Sequence, residues 1–180
     1  MALYPSSYIV AGPVPWYKYS TNNGWRYFTT NANEIGTITP GATGHNGLGF
    51  ERIECEVYDR ADANRPSNTV PLYQYKHKDE LRYFYTTRWQ DVGTYVTGVL
   101  MGSWRSEGIA AYVYSSSQAN TVPLYQYKMP GGYLFYTTDA CEVGSVWPGL
   151  VGKHDFTYDK VAAYVLPKHG FLPGPVVCDN

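Results

Sequence analysis

Polar and apolar residues alternate in three well-separated stretches of this chain, and the three read almost alike. In Val70-Pro71-Leu72-Tyr73-Gln74-Tyr75-Lys76 the tyrosines fall on one face and Leu72, Gln74 and Lys76 on the other. Val122-Pro123-Leu124-Tyr125-Gln126-Tyr127-Lys128 repeats this split, and Val14-Pro15-Trp16-Tyr17-Lys18-Tyr19 is a looser copy. A period of two predicts a β-strand. A second stretch follows each opening strand, as Tyr27-Phe28-Thr29-Thr30, Phe84-Tyr85-Thr86-Thr87 and Phe135-Tyr136-Thr137-Thr138. Turn residues such as Asn22-Asn23-Gly24 and Pro130-Gly131-Gly132 stand between the two and predict a hairpin. A third alternating stretch closes each unit, with Ile53, Cys55 and Val57 on one face, matched by Ile109, Ala111, Val113 and by Val161, Ala163, Val165. That face is apolar three times over and is expected in a common core.

The spacing is regular. Val14, Val70 and Val122 are separated by 56 and 52 residues, and the closing stretches that begin at 53, 109 and 161 keep the same offsets. A period near 50 residues points to repeated supersecondary units sharing one core. The units run over 14–65, 70–117 and 122–166 of a single domain spanning 1–180, with tails at 1–13 and 167–180, one of which is expected to add a closing strand. One unit alone would bury too little surface to be stable. Between hairpin and closing strand, Thr87-Arg88-Trp89-Gln90-Asp91 and its counterparts predict a short helix capped by threonine and stopped by Gly36, Gly93 or Gly144. The expected fold is all-β with short helical insertions, a pseudo-threefold domain of β-trefoil-like closure, with a three-bladed β-propeller as the alternative.

Composition removes several functions. A net charge of −1 with scattered basic residues offers no stripe for a phosphate backbone, so nucleic acid is not expected as a partner. No 18-residue apolar run is present, and Met1 to Tyr8 have neither a basic nor an apolar signal region, so the expectation is no membrane span and a cytoplasmic protein or one released without a signal peptide. Cys55, Cys141 and Cys178 form no CxxC pair, and an odd number cannot all pair within one chain, which favours reduced thiols. The four histidines recur in no common position, and there is no HExxH, GxSxG or phosphate loop. An enzyme is therefore not expected, and neither a cofactor nor a metal is implied.

The run Val70-Pro71-Leu72-Tyr73, then Phe84-Tyr85-Thr86-Thr87, then Trp104-Arg105-Ser106-Glu107-Gly108-Ile109-Ala110 resembles the tandem tyrosine-rich repeat of a domain family of unknown function. That family is found with bacterial cell-wall hydrolases and alone in fungi. The resemblance covers roughly residues 14 to 166 and implies a noncatalytic recognition domain for glycans. Family units carry a histidine before the Phe-Tyr-Thr-Thr phrase; this chain has Arg26, Tyr83 and Leu134 there, and its first unit lacks the Trp-x-x-Glu-Gly phrase.

Candidate ligand residues follow from recurrence. Glu51, Glu107 and Asp159 each lie two residues before the apolar face of a closing strand, and an ionised carboxylate can accept two sugar hydroxyls. The plainer reading has each acid binding backbone N–H groups at a bend. Aromatic platforms are the other need of a sugar site, and Trp104, Trp25 and Tyr133, with Arg82 at the same aligned place as the last two, are the candidates, Trp104 and Trp25 being expected to be exposed. Tyr17, Tyr73 and Tyr125 are expected in the core, and Glu34, Asp91 and Glu142 as caps. The leading expectation is a lectin-like, carbohydrate-binding module with up to three related sites, partnered by glycans or glycoconjugates and with defence as a candidate role. The alternative is a protein-binding scaffold, such as a protease inhibitor or toxin, using the dissimilar insertions 37–50, 94–103 and 145–155.

Overall fold

The computed structural model describes residues 12–170 and residue 178. Each unit opens with a long strand: β1 (Pro13–Ser20), β4 (Val70–His77) and β8 (Val122–Lys128). Each opening strand forms an antiparallel hairpin with a short second strand, β2 (Arg26–Thr29), β5 (Tyr83–Thr86) or β9 (Leu134–Thr137). Its other edge takes the closing strand, β3 (Gly49–Tyr58), β7 (Trp104–Val113) or β10 (Thr157–Val165), also antiparallel. A two-residue strand, β6 (Leu100–Met101), pairs with the start of β7, and single bridges Thr43–Gly49 and Val151–Thr157 hold the corresponding places in the other units.

These strands make two antiparallel sheets, one ordered β2-β1-β3-β7-β4-β5 with β6 beside β7, the other β10-β8-β9. Among the described residues no sheet closes on itself. The ends of the closing strands nevertheless touch pairwise, Tyr58 with Tyr112, Tyr114 with Tyr164 and Leu166 with Glu56. No described helix is long and apolar enough to cross a membrane.

One cluster receives equivalent residues from all three units: Trp16, Leu72 and Leu124 from the opening strands, Phe28, Tyr85 and Tyr136 from the second strands, and Cys55, Ala111 and Ala163 with Val57, Val113 and Val165 from the closing strands. Phe28, Tyr85 and Tyr136 meet edge to face at 5.5 to 6.2 Å, the geometry aromatic quadrupoles favour. Tyr85 Oη accepts from the Phe28 N–H at 3.0 Å, and Tyr136 Oη accepts from the Tyr85 N–H at 3.0 Å, so two buried hydroxyls satisfy backbone across units.

The tyrosine face of each opening strand points away from this cluster. Tyr19, Tyr75 and Tyr127 are buried beneath their own insertions, donating to the carbonyls of Thr37, Thr94 and Ser145 at 2.8, 2.6 and 2.7 Å. Tyr17, Tyr73 and Tyr125, expected in the core, are only half-buried. Ile53, Ile109 and Val161 depart from the expected common face as well, because the pairing of each closing strand with its opening strand skips Glu54, Ala110 or Ala162 and breaks the alternation; Ile53 packs with Tyr17 and Phe50.

The expected short helices are single 3-10 turns, Ala32–Glu34, Trp89–Asp91 and Ala140–Glu142. The first threonine of each pair accepts the N–H two residues on, Thr29 from Asn31, Thr86 from Arg88 and Thr137 from Asp139, at 2.9 to 3.1 Å. Gly36, Gly93 and Gly144 then take φ of 84°, 105° and 83°, left-handed values that end the turn. The strand expected from a tail falls largely outside the described residues; Lys168–Gly170 forms a 3-10 turn. Cys141 and Cys178 are joined in a disulfide, correcting the expectation of reduced thiols there, while Cys55 is free and buried in the core.

Candidate functional site

The recurring acid of each closing strand sits at a β-bulge. In the first unit the pairing steps from Lys18–Arg52 to Tyr19–Phe50 and passes over Glu51; in the second it passes over Glu107, and in the third over Asp159. A bulge turns the extra residue out of the ladder and re-aims its side chain. Here it aims the acid at the junction between its own unit and the one before, where the equivalent second strand and 3-10 turn supply a second acid: Glu142 opposite Glu51, Glu34 opposite Glu107 and Asp91 opposite Asp159. Those three stand in the first turn of their 3-10 helices, as expected of caps, and face the junctions as well.

The junction of the first and third units is filled with charge. Lys18 is fully buried, its Nζ 3.3 Å from Glu54, 3.7 Å from Glu142 and 3.8 Å from Glu51, and 4.3 Å above the Phe135 ring. Arg52 binds Glu142 through both terminal nitrogens at 2.8 and 2.6 Å and Glu54 at 2.8 and 3.0 Å. Glu54 also accepts from the Thr138 N–H at 2.7 Å, the Thr138 hydroxyl at 3.1 Å and the Thr137 hydroxyl at 3.2 Å. Burial alone would raise the Glu142 carboxyl, but Arg52 and Lys18 outweigh it and hold it at about 2. Burial likewise opposes ionisation of Glu54, and Lys18, Arg52 and the Thr138 N–H keep that carboxyl below the ordinary range.

The junction of the third and second units has a lighter version. Lys128 Nζ lies 2.9 Å from Asp159, the buried Gln126 amide donates to Asp159 at 2.7 Å, and Lys160 Nζ stands 3.9 Å from Asp91.

The junction of the second and first units is open. Gln74 replaces Lys18, Gly108 replaces Arg52 and Ala110 replaces Glu54, so side chains that plug the first junction are missing. What remains is a cavity of about 580 Å³ walled by Tyr27, Thr29, Thr30, Asn31, Glu34, Asp59, Gln74 and Glu107. Tyr27 donates to Glu34 at 2.7 Å, Thr30 donates to Asp59 at 2.7 Å, and Glu107 accepts from Arg105 at 3.2 Å on its outer side. A second cavity of about 550 Å³ adjoins it, also touching Arg60, Glu107 and Ile109 and bounded by Tyr73, Tyr95 and Thr97. Glu107 therefore stands between two cavities of one groove. At the first unit the corresponding outer cavity is about 300 Å³, with Tyr17, Ile38 and Glu51 facing Lys168 and His169.

The chain belongs to the family described as Domain of unknown function (DUF5648), which matches residues 15–166. No curated protein matches it, and no solved structure does. A family assignment of this kind names no ligand, so the reading of this DUF5648 domain rests on its own groove.

The remaining predicted residues gather elsewhere. Trp25 and Tyr133 meet at 6.4 Å, and the Arg82 guanidinium lies 5.3 Å from the Tyr133 ring and 5.2 Å from the Trp104 ring. Trp104 also contacts His77 and Phe84. These four form one half-buried cluster at the hairpin ends, so neither Trp25 nor Trp104 is the open platform expected of it. The exposed tryptophan is Trp147, 70 % accessible at the tip of the third insertion. Tyr27, Asn31, Asp59 and Gln74 were missed as site residues, because each is unremarkable in its own strand and turn and acquires a role only across a junction. The threefold recurrence of Glu34, Asp91 and Glu142 was the signal available for the acids.

Proposed function

We propose that this DUF5648 domain is a noncatalytic carbohydrate-binding module whose working site is the groove between its first and second units. The observation that carries the reading is that Glu107, the acid repeated at every closing-strand bulge, lies between two adjoining cavities lined by carboxylates, amides, hydroxyls and tyrosine rings. Carboxylates and amides accept and donate to sugar hydroxyls in pairs, while the rings of Tyr27, Tyr73 and Tyr95 offer apolar faces to a pyranose. The first junction fills its equivalent space with the buried Lys18 and Glu54, and in the third Asp159 is already bound by Lys128 and Gln126, which favours one principal site over three. The pairwise bridges between closing strands support a trefoil-like pseudo-threefold arrangement of the units.

A glycan array probed with the folded domain tests this, alongside Glu107→Ala and Gln74→Ala. Binding is expected in the parent and to fall about tenfold in each variant, the loss of one charge-assisted or paired hydrogen bond. Absence of binding across a broad array by the folded parent refutes the reading.

A second reading, a protein-binding scaffold, is favoured by the apolar insertion tips, where Tyr95, Val96, Leu100, Trp147, Leu150 and Val151 are all exposed. Partner binding lost in Trp147→Ala and kept in Glu107→Ala would select it.

A further inference from the structure

We infer that the open groove takes a glycan bearing protonated amines, a de-N-acetylated amino sugar, whose ammonium occupies the place that Lys18 fills in the first junction. The inference rests on the glycan reading above and adds the class of sugar.

The chain carries an occupied version of its own site. In the first junction Glu51 and Glu142 flank the buried Lys18 ammonium at 3.8 and 3.7 Å, with the ring of Phe135 beneath it at 4.3 Å. In the third, the corresponding Asp159 and Asp91 are matched with Lys128 and Lys160 at 2.9 and 3.9 Å. In the open junction both acids are retained, as Glu107 and Glu34, and Tyr27 stands where Phe135 does, so two carboxylates and a ring remain around the cavity. The cations of the first junction are what changed: Gln74 and Gly108 stand at the positions of Lys18 and Arg52, while Lys76, at the position of Lys128, lines neither cavity. Gly108 has φ of 91°, and a Cβ there would lie 2.7 Å from Thr97 Oγ1, so the backbone of this bulge also disfavours a long basic side chain.

The balance of charge agrees. Glu34, Asp59 and Glu107 line the cavity against Arg60 alone. Asp59 is committed to Thr30 and to the Ala61 N–H at 2.7 and 2.8 Å, and Glu107 meets Arg105 on its solvent side, where such a pair is weak. A protonated amine brings the missing positive charge together with three donors, all of which carboxylates accept. An anionic sugar would meet the acids unfavourably, and an N-acetylated one would bring a neutral amide in place of the cation.

Titration calorimetry with a glucosamine tetramer and its fully N-acetylated form, at pH 6 in moderate salt, tests this on the whole chain; an amine with a pKa near that of an α-amino group, about 8, is charged there. The free-amine oligomer is expected to bind at least about tenfold more tightly, as for one charge-assisted contact. Gln74→Lys, which copies Lys18, is expected to abolish that preference, and Glu107→Gln, which alters a 37 % exposed side chain, to reduce it even if Gln74→Lys fails to fold. Equal or weaker binding of the amine form overturns the inference while leaving the glycan reading intact. A preference unchanged in either folded variant overturns its placement in this groove. Binding of neither oligomer overturns it as well, and the glycan array then decides whether the broader reading survives.

Discussion

Glu54→Ala strikes the centre of the first junction. The carboxylate is 1 % exposed and accepts from Thr137, Thr138 and Arg52, and it is the carboxylate nearest Lys18 at 3.3 Å. Removing it leaves a fully buried ammonium whose next partners lie at 3.7 and 3.8 Å, and leaves the Thr138 N–H without its acceptor. Breaking a buried ion pair from one side costs about 3–5 kcal/mol, because the remaining charge stays desolvated. At this chain length that corresponds to a fall in Tm of roughly 10 °C. The double variant Lys18→Gln/Glu54→Ala is expected to recover much of the loss, since the chain already uses glutamine with alanine at the same two positions in its other units, Gln74 with Ala110 and Gln126 with Ala162. The two sites should thus couple by more than about 1 kcal/mol in a double-mutant cycle. Urea denaturation is the assay, because urea, unlike guanidinium salt, leaves ion pairs unscreened. A single-variant cost below about 1 kcal/mol, or additive single effects within about 0.5 kcal/mol, would refute the account of this junction as a buried charge cluster.

Two further predictions concern the same packing. Glu142 is held at about 2 and Glu54 is depressed as well, so between about 2 and the ordinary 4.5 the unfolded chain binds more protons than the folded one. Stability is therefore fully present above about 4.5 and lost as pH falls toward 2, and urea midpoints across that window should decline less in Glu142→Gln than in the parent. Tyr85→Phe removes the hydroxyl that accepts from the Phe28 N–H and is expected to cost about 1–3 kcal/mol, the desolvation of an orphaned backbone group, with a loss under 0.5 kcal/mol by denaturation counting against that role.

The hairpins, the closing strands and the shared core were legible in the chain because each depends on local information. Period-two patterning sets a strand, Asn22-Asn23-Gly24 sets its turn, and small apolar residues at Cys55, Ala111 and Ala163 mark where three closing strands meet. The recurring acid was legible too, through its register. Bulges were not, since an extra residue in a ladder leaves the sequence of side chains unchanged and is defined only by the partner strand; Ile53, Ile109 and Val161 were therefore assigned to the wrong face. The exposure of Trp25 and Trp104 was equally beyond reach, because Arg82 and Tyr133, distant in sequence, cover them.

The sequence by itself determined three copies of one strand pattern and an acid at the same register in each. Only the tertiary structure decided which acid faces an open groove. Lys18 meets Glu142 and Glu54 meets Thr138 between the first and third units, and such contacts set whether a junction is plugged or empty. A change from lysine to glutamine, or from arginine to glycine, is an ordinary surface difference within one unit; at a junction between units it removes both the volume and the charge that fill the space, and that is why Glu107 stands at a groove while Glu51 stands beside a buried lysine.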